Sequence, residues 1–169
     1  MKRYKNDCRF KDKKILVADD CVEITRLISA VLAMTGAEVM EAFDGKEALD
    51  KMTDNQFDLI LLDIHMPGVD GLTAAKIMKN CDANRNCPII IFSSDHDRIR
   101  ALSEDFAEID GLIEKPFSPI DILNKMAEIF DPQGNKGSHL CLGDDCKKKN
   151  FKNCAVFNTP GFKVNLQGE

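Results

Sequence analysis

The stretch "ILLDIHMPGVDG", residues 60–71, decides the fold. Bulky aliphatics run into a carboxylate, Asp63, and a turn full of Gly and Pro follows. An apolar run that does not alternate predicts a strand buried on both faces, as in a parallel sheet. An ionised carboxylate is costly to bury unless it is paired or bound to a metal. Asp63 therefore either caps a turn or sits at the rim of a sheet and does chemistry.

Working outward, "KKILVADD" (13–20) is a second apolar run, and it ends in two acids. The spacing of Cys21, Ile24, Ile28, Val31 and Leu32 predicts a helix, with Gly36 able to stop it. "AEVMEA" (37–42) reads as a strand, and "DGKEALDKM" (44–52) as a helix with Asp44 as N-cap. "FDLILLD" (57–63) is a strand, "LTAAKIMKNC" (72–81) a helix and "CPIIIFSS" (87–94) a strand. A helix over 97–107, a short strand "DGLIEKP" (110–116) and a helix "SPIDILNKMAEIF" (118–130) complete the series. Ser118 is the N-cap of that last helix, and Pro119 stands in its first turn. The order is β-α five times over. It predicts an α/β fold, a doubly wound five-stranded parallel sheet with functional groups at the carboxyl ends of its strands.

Those ends carry reactive side chains. The first strand ends in Asp19 and Asp20, the third in Asp63, the fourth in Ser93 and the fifth in Lys115 before Pro116. Three carboxylates together repel one another. A hard divalent cation resolves the repulsion, and Mg²⁺ suits a site with few carboxylates, several waters and a phosphoryl ligand. A lysine and a hydroxyl can hold the other phosphoryl oxygens, and a carboxylate can be the nucleophile that forms an acyl phosphate.

In these motifs the chain resembles the receiver domain of bacterial two-component response regulators. The resemblance covers about residues 13–130 and rests on "VADD", "LLDIHMPGVDGL", "IIFSS" and "IEKPF". The intervals also agree: 93 − 63 = 30 residues from Asp63 to Ser93, and 115 − 93 = 22 from Ser93 to Lys115. The resemblance implies a (βα)5 flavodoxin-like fold in which Asp63 is the phosphoacceptor. It implies that Asp19, Asp20, Asp63 and the backbone carbonyl of His65 bind Mg²⁺. Ser93 would bond the phosphoryl group and report its arrival, and Lys115 would pair with Asp63 and then with the phosphoryl oxygens. The Lys115–Pro116 bond would be cis. The donor would be a histidine of a sensor histidine kinase or a histidine phosphotransfer protein, and the output would be a downstream protein target. Two positions depart from the family's pattern. Leu112 stands where an aromatic switch residue is usual, and Glu108-Ile109 replace a small Gly-Ala pair.

Plainer roles stand beside these. Asp20 can cap the first helix, and His65 can be an exposed loop histidine that modulates loss of the phosphoryl group or does nothing. His96 reads as a solvated loop residue. Cys21, Cys81 and Cys87 read as small buried hydrophobes, with Cys81 and Cys87 a conceivable redox pair.

Bulk properties narrow the function. The 169 residues are 44% hydrophobic and 30% charged, with a net charge of −5. Six lysines and four acids give residues 131–169 a charge of +2, so the rest carries −5 − 2 = −7. An acidic body argues against DNA as a partner. The sequence holds no run of about 18 apolar residues, so no membrane span is expected. Residues 1–12 read as a basic, solvated arm without a signal segment, which points to a cytoplasmic protein.

Residues 131–169 read as a linker and a Cys-containing tail, too short for the usual winged-helix effector and too poor in aliphatics for a core of their own. His139, Cys141, Cys146 and Cys154 can make a tetrahedral Zn²⁺ set, or the thiols can serve redox sensing. The segment is weakly similar to cysteine clusters beside bacterial signalling domains, with Leu142 and Ala155 in place of their Trp and Pro. Two rival functions stand beside this one. A haloacid dehalogenase-type phosphatase wants D-x-D, which "DDC" (19–21) and "DIH" (63–65) both fail. A pseudo-receiver, an interaction module with a metal-binding or redox-sensing tail, does not need the full set of acids, hydroxyl and lysine. The expectation is a non-enzymatic phosphoacceptor that catalyses only its own phosphorylation and dephosphorylation.

Overall fold

A computed structural model describes residues 10–94 and 109–131. The elements are β1 (Lys14–Ala18), α1 (Val22–Ala33), β2 (Glu38–Ala42), α2 (Gly45–Asp54), β3 (Leu59–Asp63), α3 (Gly71–Asn80), β4 (Ile89–Ser93), β5 (Gly111–Glu114) and α4 (Pro119–Phe130). The five strands form one parallel sheet in the order β2-β1-β3-β4-β5. The expected helix over 97–107, His96, and the Cys tail lie outside the described residues.

β1, β3 and β4 are buried along almost their whole length because both faces of the sheet are covered. Strand alternation sends Ile15, Val17, Leu59, Leu61, Ile90, Phe92 and Ile113 to one face, against Ile28, Val31 and Leu32 of α1 and Ile122, Leu123 and Met126 of α4. Leu16, Ala18, Ile60, Leu62, Ile89 and Ile91 go to the other, against Ala48 and Met52 of α2 and Ala74, Ala75 and Met78 of α3. Each large aliphatic so buried contributes about 1.5–3 kcal/mol. The winding reverses between β1 and β3, and their carboxyl ends part there to leave the crevice in which such sheets place their ligands.

The ends of the helices follow local chemistry. Asp44 caps α2 by accepting the backbone N–H of Glu47 at 2.7 Å. Ser118 donates both its N–H and its hydroxyl to the Asp121 carboxylate at 2.7 Å. The α1 helix stops before Gly36, whose φ of +85° suits glycine. Asp20 is not the cap of α1; that position is Cys21.

Two side chains depart from their sequence reading. Phe10, placed in the basic arm, is buried beside Phe130 with ring centroids 5.7 Å apart, so the packed body includes residues before 13. Asn84, in a stretch that reads as loop, is buried: its amide oxygen accepts the Phe57 N–H, and its NH₂ donates to the carbonyls of Met52 and Asn55. It ties the end of α2 and the start of β3 to the loop before β4.

Candidate functional site

Asp19 and Asp63 follow the parity of Val17 and Leu61, and Lys115 follows that of Ile113, so all three belong to the α1/α4 side of the rim. Lys115 Nζ lies 2.7 Å from Asp19 Oδ2 and 2.8 Å from Asp63 Oδ1. The reading from sequence paired it with Asp63; Asp19 is its second partner. Both carboxylates are essentially buried, while Asp20 is exposed. One carboxylate oxygen from each of Asp19, Asp20 and Asp63 lies within 4.8 Å of the others. Three hard oxygen donors of net negative charge, partly open to solvent, fit a small divalent cation that keeps several waters.

Burial drives the Asp63 carboxyl above the usual carboxylate range, and the negative charge of Asp19 adds to this. Lys115 and the His65 backbone N–H pull the other way without cancelling it. Burial pulls the Lys115 ammonium down, but the carboxylates of Asp19 and Asp63 outweigh it and its pKa is raised. The lysine therefore stays charged between two acids.

The backbone fixes these groups. Asp19 Oδ1 accepts the Cys21 N–H at 2.8 Å, and the Asp19 N–H donates to the Ala42 carbonyl. Thr25 is fully buried in α1, and its hydroxyl donates to the Asp19 carbonyl at 3.0 Å. The helical pattern gave no reason to bury a threonine there; the carbonyl at the strand end is the reason. Thr25→Val is expected to cost about 1 kcal/mol, because it leaves a buried carbonyl without that donor. Thr25→Ser should recover most of it. Urea unfolding of the three proteins is the check, and equal midpoints for valine and wild type would contradict this.

After Asp63 the chain turns tightly, with Gly68 at φ +76°. A Cβ on Gly71 would stand 2.0 Å from the Asp63 carbonyl oxygen, so only glycine lets α3 begin this close to the strand end. Asp70 caps α3 by accepting the N–H groups of Leu72 and Thr73. His65 has an exposed side chain on this loop. Ser93 is buried at the end of β4, and its carbonyl accepts the Lys115 N–H at 2.8 Å. The Lys115–Pro116 peptide is cis. Ser93 has the parity of Ile91, on the α2/α3 side, and Leu112 packs half-buried on that same side.

Cys21, Cys81 and Cys87 are free thiols, so Cys81 and Cys87 do not form a disulfide. Burial pushes the Cys87 thiol up to about 12, which makes it a poor nucleophile. Among the described residues no helix is long and apolar enough to cross a membrane.

The geometry agrees with what comparison with known proteins shows. The response regulator receiver domain family matches residues 15–127. The CAI-1 autoinducer sensor kinase/phosphatase CqsS of Vibrio cholerae is 34% identical over 69% of this chain, but that match spans only 17% of its own length. Protein PilG of Pseudomonas aeruginosa is 33% identical over 65% of this chain and 82% of its own. The response regulator protein TrrA of Thermotoga maritima, solved in complex with Mg(2+)-BeF, is 29% identical, with a TM-score of 0.60 over 69% of this chain and 98% of its own. The family match takes in every strand end described above, and together with the likeness to PilG it settles the kinship: the chain belongs to the response regulator receiver domain family.

Proposed function

We propose that this chain is a phosphoacceptor signalling domain in which Asp63 receives a phosphoryl group from a histidine of a sensor kinase or a histidine phosphotransfer protein. The observation that carries this is the Lys115 ammonium held between Asp19 and Asp63 at a rim that also gathers the Asp20 carboxylate. A carboxylate oxygen of Asp63 attacks phosphorus as the bond to the donor imidazole nitrogen breaks. The electron pair goes to that nitrogen, and the product is an acyl phosphate. Lys115 meets the incoming phosphoryl oxygens, and the buried Ser93 hydroxyl bonds one of them. Mg²⁺, held by Asp19, Asp20, Asp63 and the His65 carbonyl, would neutralise charge developing on those oxygens. The bound Mg(2+)-BeF of TrrA supports this reading.

The chain catalyses only its own phosphorylation and dephosphorylation, and its output is contact with a downstream protein. The kinship to a sensor kinase/phosphatase supports a histidine kinase as the upstream partner. Among the described residues the three thiols, Cys21, Cys81 and Cys87, are free, which fits a reducing cytoplasm. Residues 13–130 are the receiver, with Phe10 of the preceding segment packed into its body, and residues 131–169 are an appendage. In that appendage His139, Cys141, Cys146 and Cys154 form a Zn²⁺ or redox-sensing set, supported by their donor chemistry alone. The test of the main reading is the mass of the full chain after incubation with a small phosphodonor. An adduct of one phosphoryl group is expected with Mg²⁺ and none with chelator. No adduct under either condition would overturn it.

A further inference from the structure

Lys115 has a third contact besides its two carboxylates. Its ammonium stands over the ring of Phe92, 5.2 Å from the centroid. The sheet register accounts for the contact. Phe92 is the cross-strand partner of Asp63 on one side and of Ile113 on the other, so its ring shares the face of Lys115, which stands two residues beyond Ile113 and reaches back over it. Phe92 is fully buried. Its own ring meets Phe117 edge-on, with centroids 5.7 Å apart and planes at 68°. Phe117 follows directly on the cis Lys115–Pro116 peptide. The lysine is thus held by oxygens at its tip and by the negative face of an aromatic ring.

We propose that Phe92 is a positioning residue for Lys115: its ring face keeps the ammonium at the phosphoacceptor as the carboxylate partner is replaced by a phosphoryl group, and Phe117 holds the ring. This rests on the reading of Lys115 as a phosphoryl-binding group. The Asp63 oxygen that accepts from the lysine is changed in charge by the chemistry, which leaves the Asp19 carboxylate and the ring as its unchanged contacts. The ring's quadrupole does not change, so as the pull of the Asp63 oxygen weakens the ring carries a larger share of the lysine's positioning in the transition state than in the resting site. An aliphatic side chain of similar bulk would fill the same volume without that attraction.

The test replaces Phe92, in the full chain, with mono-, di- and trifluorinated phenylalanine. Fluorine withdraws charge from the ring face with little change in shape. Phosphorylation by a small phosphodonor at saturating Mg²⁺ should slow stepwise with each fluorine, reaching roughly a three- to tenfold loss, the size of a partly desolvated cation–π contact. The melting temperature should stay near that of wild type. Phe92→Leu should slow the reaction to a similar degree and lose stability as well. Equal rates across the fluorinated series, with unmodified protein taking the phosphoryl group normally, would overturn the inference and leave the site reading intact. An unmodified chain that takes no phosphoryl group would overturn both.

Discussion

Asp63→Asn is expected to end phosphoryl uptake altogether and, at the same time, to make the metal-free protein more stable. The first effect follows from chemistry, since an amide oxygen is too weak a nucleophile to form the acyl phosphate. The second follows from burial. The Asp63 side chain is 3% exposed, and desolvation raises its pKa despite the lysine beside it. A carboxyl whose folded pKa lies above its unfolded value binds more protons in the folded state. Wild-type stability should therefore rise as pH falls from neutral through that raised value, and level off below the ordinary carboxylate value of about 3.9. Asparagine removes this titration and the charge that must be desolvated. A gain of about 1–2 kcal/mol at neutral pH is expected, with a flatter dependence on acid. Thermal unfolding in chelator from neutral to mildly acidic pH checks both. An adduct formed in full yield on the variant would move the phosphoacceptor elsewhere.

What the sequence disclosed and what it withheld divide along a physical line. Long-period signals survive in one dimension. The unbroken aliphatics of β1, β3 and β4 announced a two-sided sheet, and the acids, hydroxyl and lysine beyond them announced the rim. Contacts between side chains far apart in sequence leave no such trace. Lys115 belongs as much to Asp19 as to Asp63, at a separation of 96 residues. Phe92 reads in "IIIFSS" as one more core residue, and only the register of β3, β4 and β5 sets it under the lysine. Thr25 and Asn84 are polar, so composition assigns them to the surface, yet each is buried because a backbone group needed a partner. Phe10 was hidden by its basic neighbours. A single aromatic gives no period, and its burial shows only when the ring of Phe130 lies beside it.

The lysine gives the second large effect, and its signs are opposed. Lys115→Ala should slow phosphoryl uptake by about 10²–10³-fold, the usual loss when one preorganised donor to a developing anion is removed. The same change should tighten Mg²⁺ binding, because the ammonium neutralises the two buried carboxylates that the cation also needs. Without either cation, Asp19 and Asp63 are two buried like charges, and the metal-free fold should lose about 2–4 kcal/mol. That figure is set below the full cost for a buried pair because Lys115 keeps 19% of its side-chain surface. Saturating Mg²⁺ should return most of the stability but little of the rate. Lys115→Arg separates charge from shape: it keeps the positive charge, so stability should hold, but a planar fork cannot replace a point charge set between two carboxylates and over a ring. Its rate should therefore fall nearer to that of alanine than to wild type. Titration calorimetry with Mg²⁺, melts with and without chelator, and phosphodonor kinetics on the three proteins read these effects separately. Weaker Mg²⁺ binding in Lys115→Ala would mean that the lysine organises the carboxylates for the metal rather than competing with it.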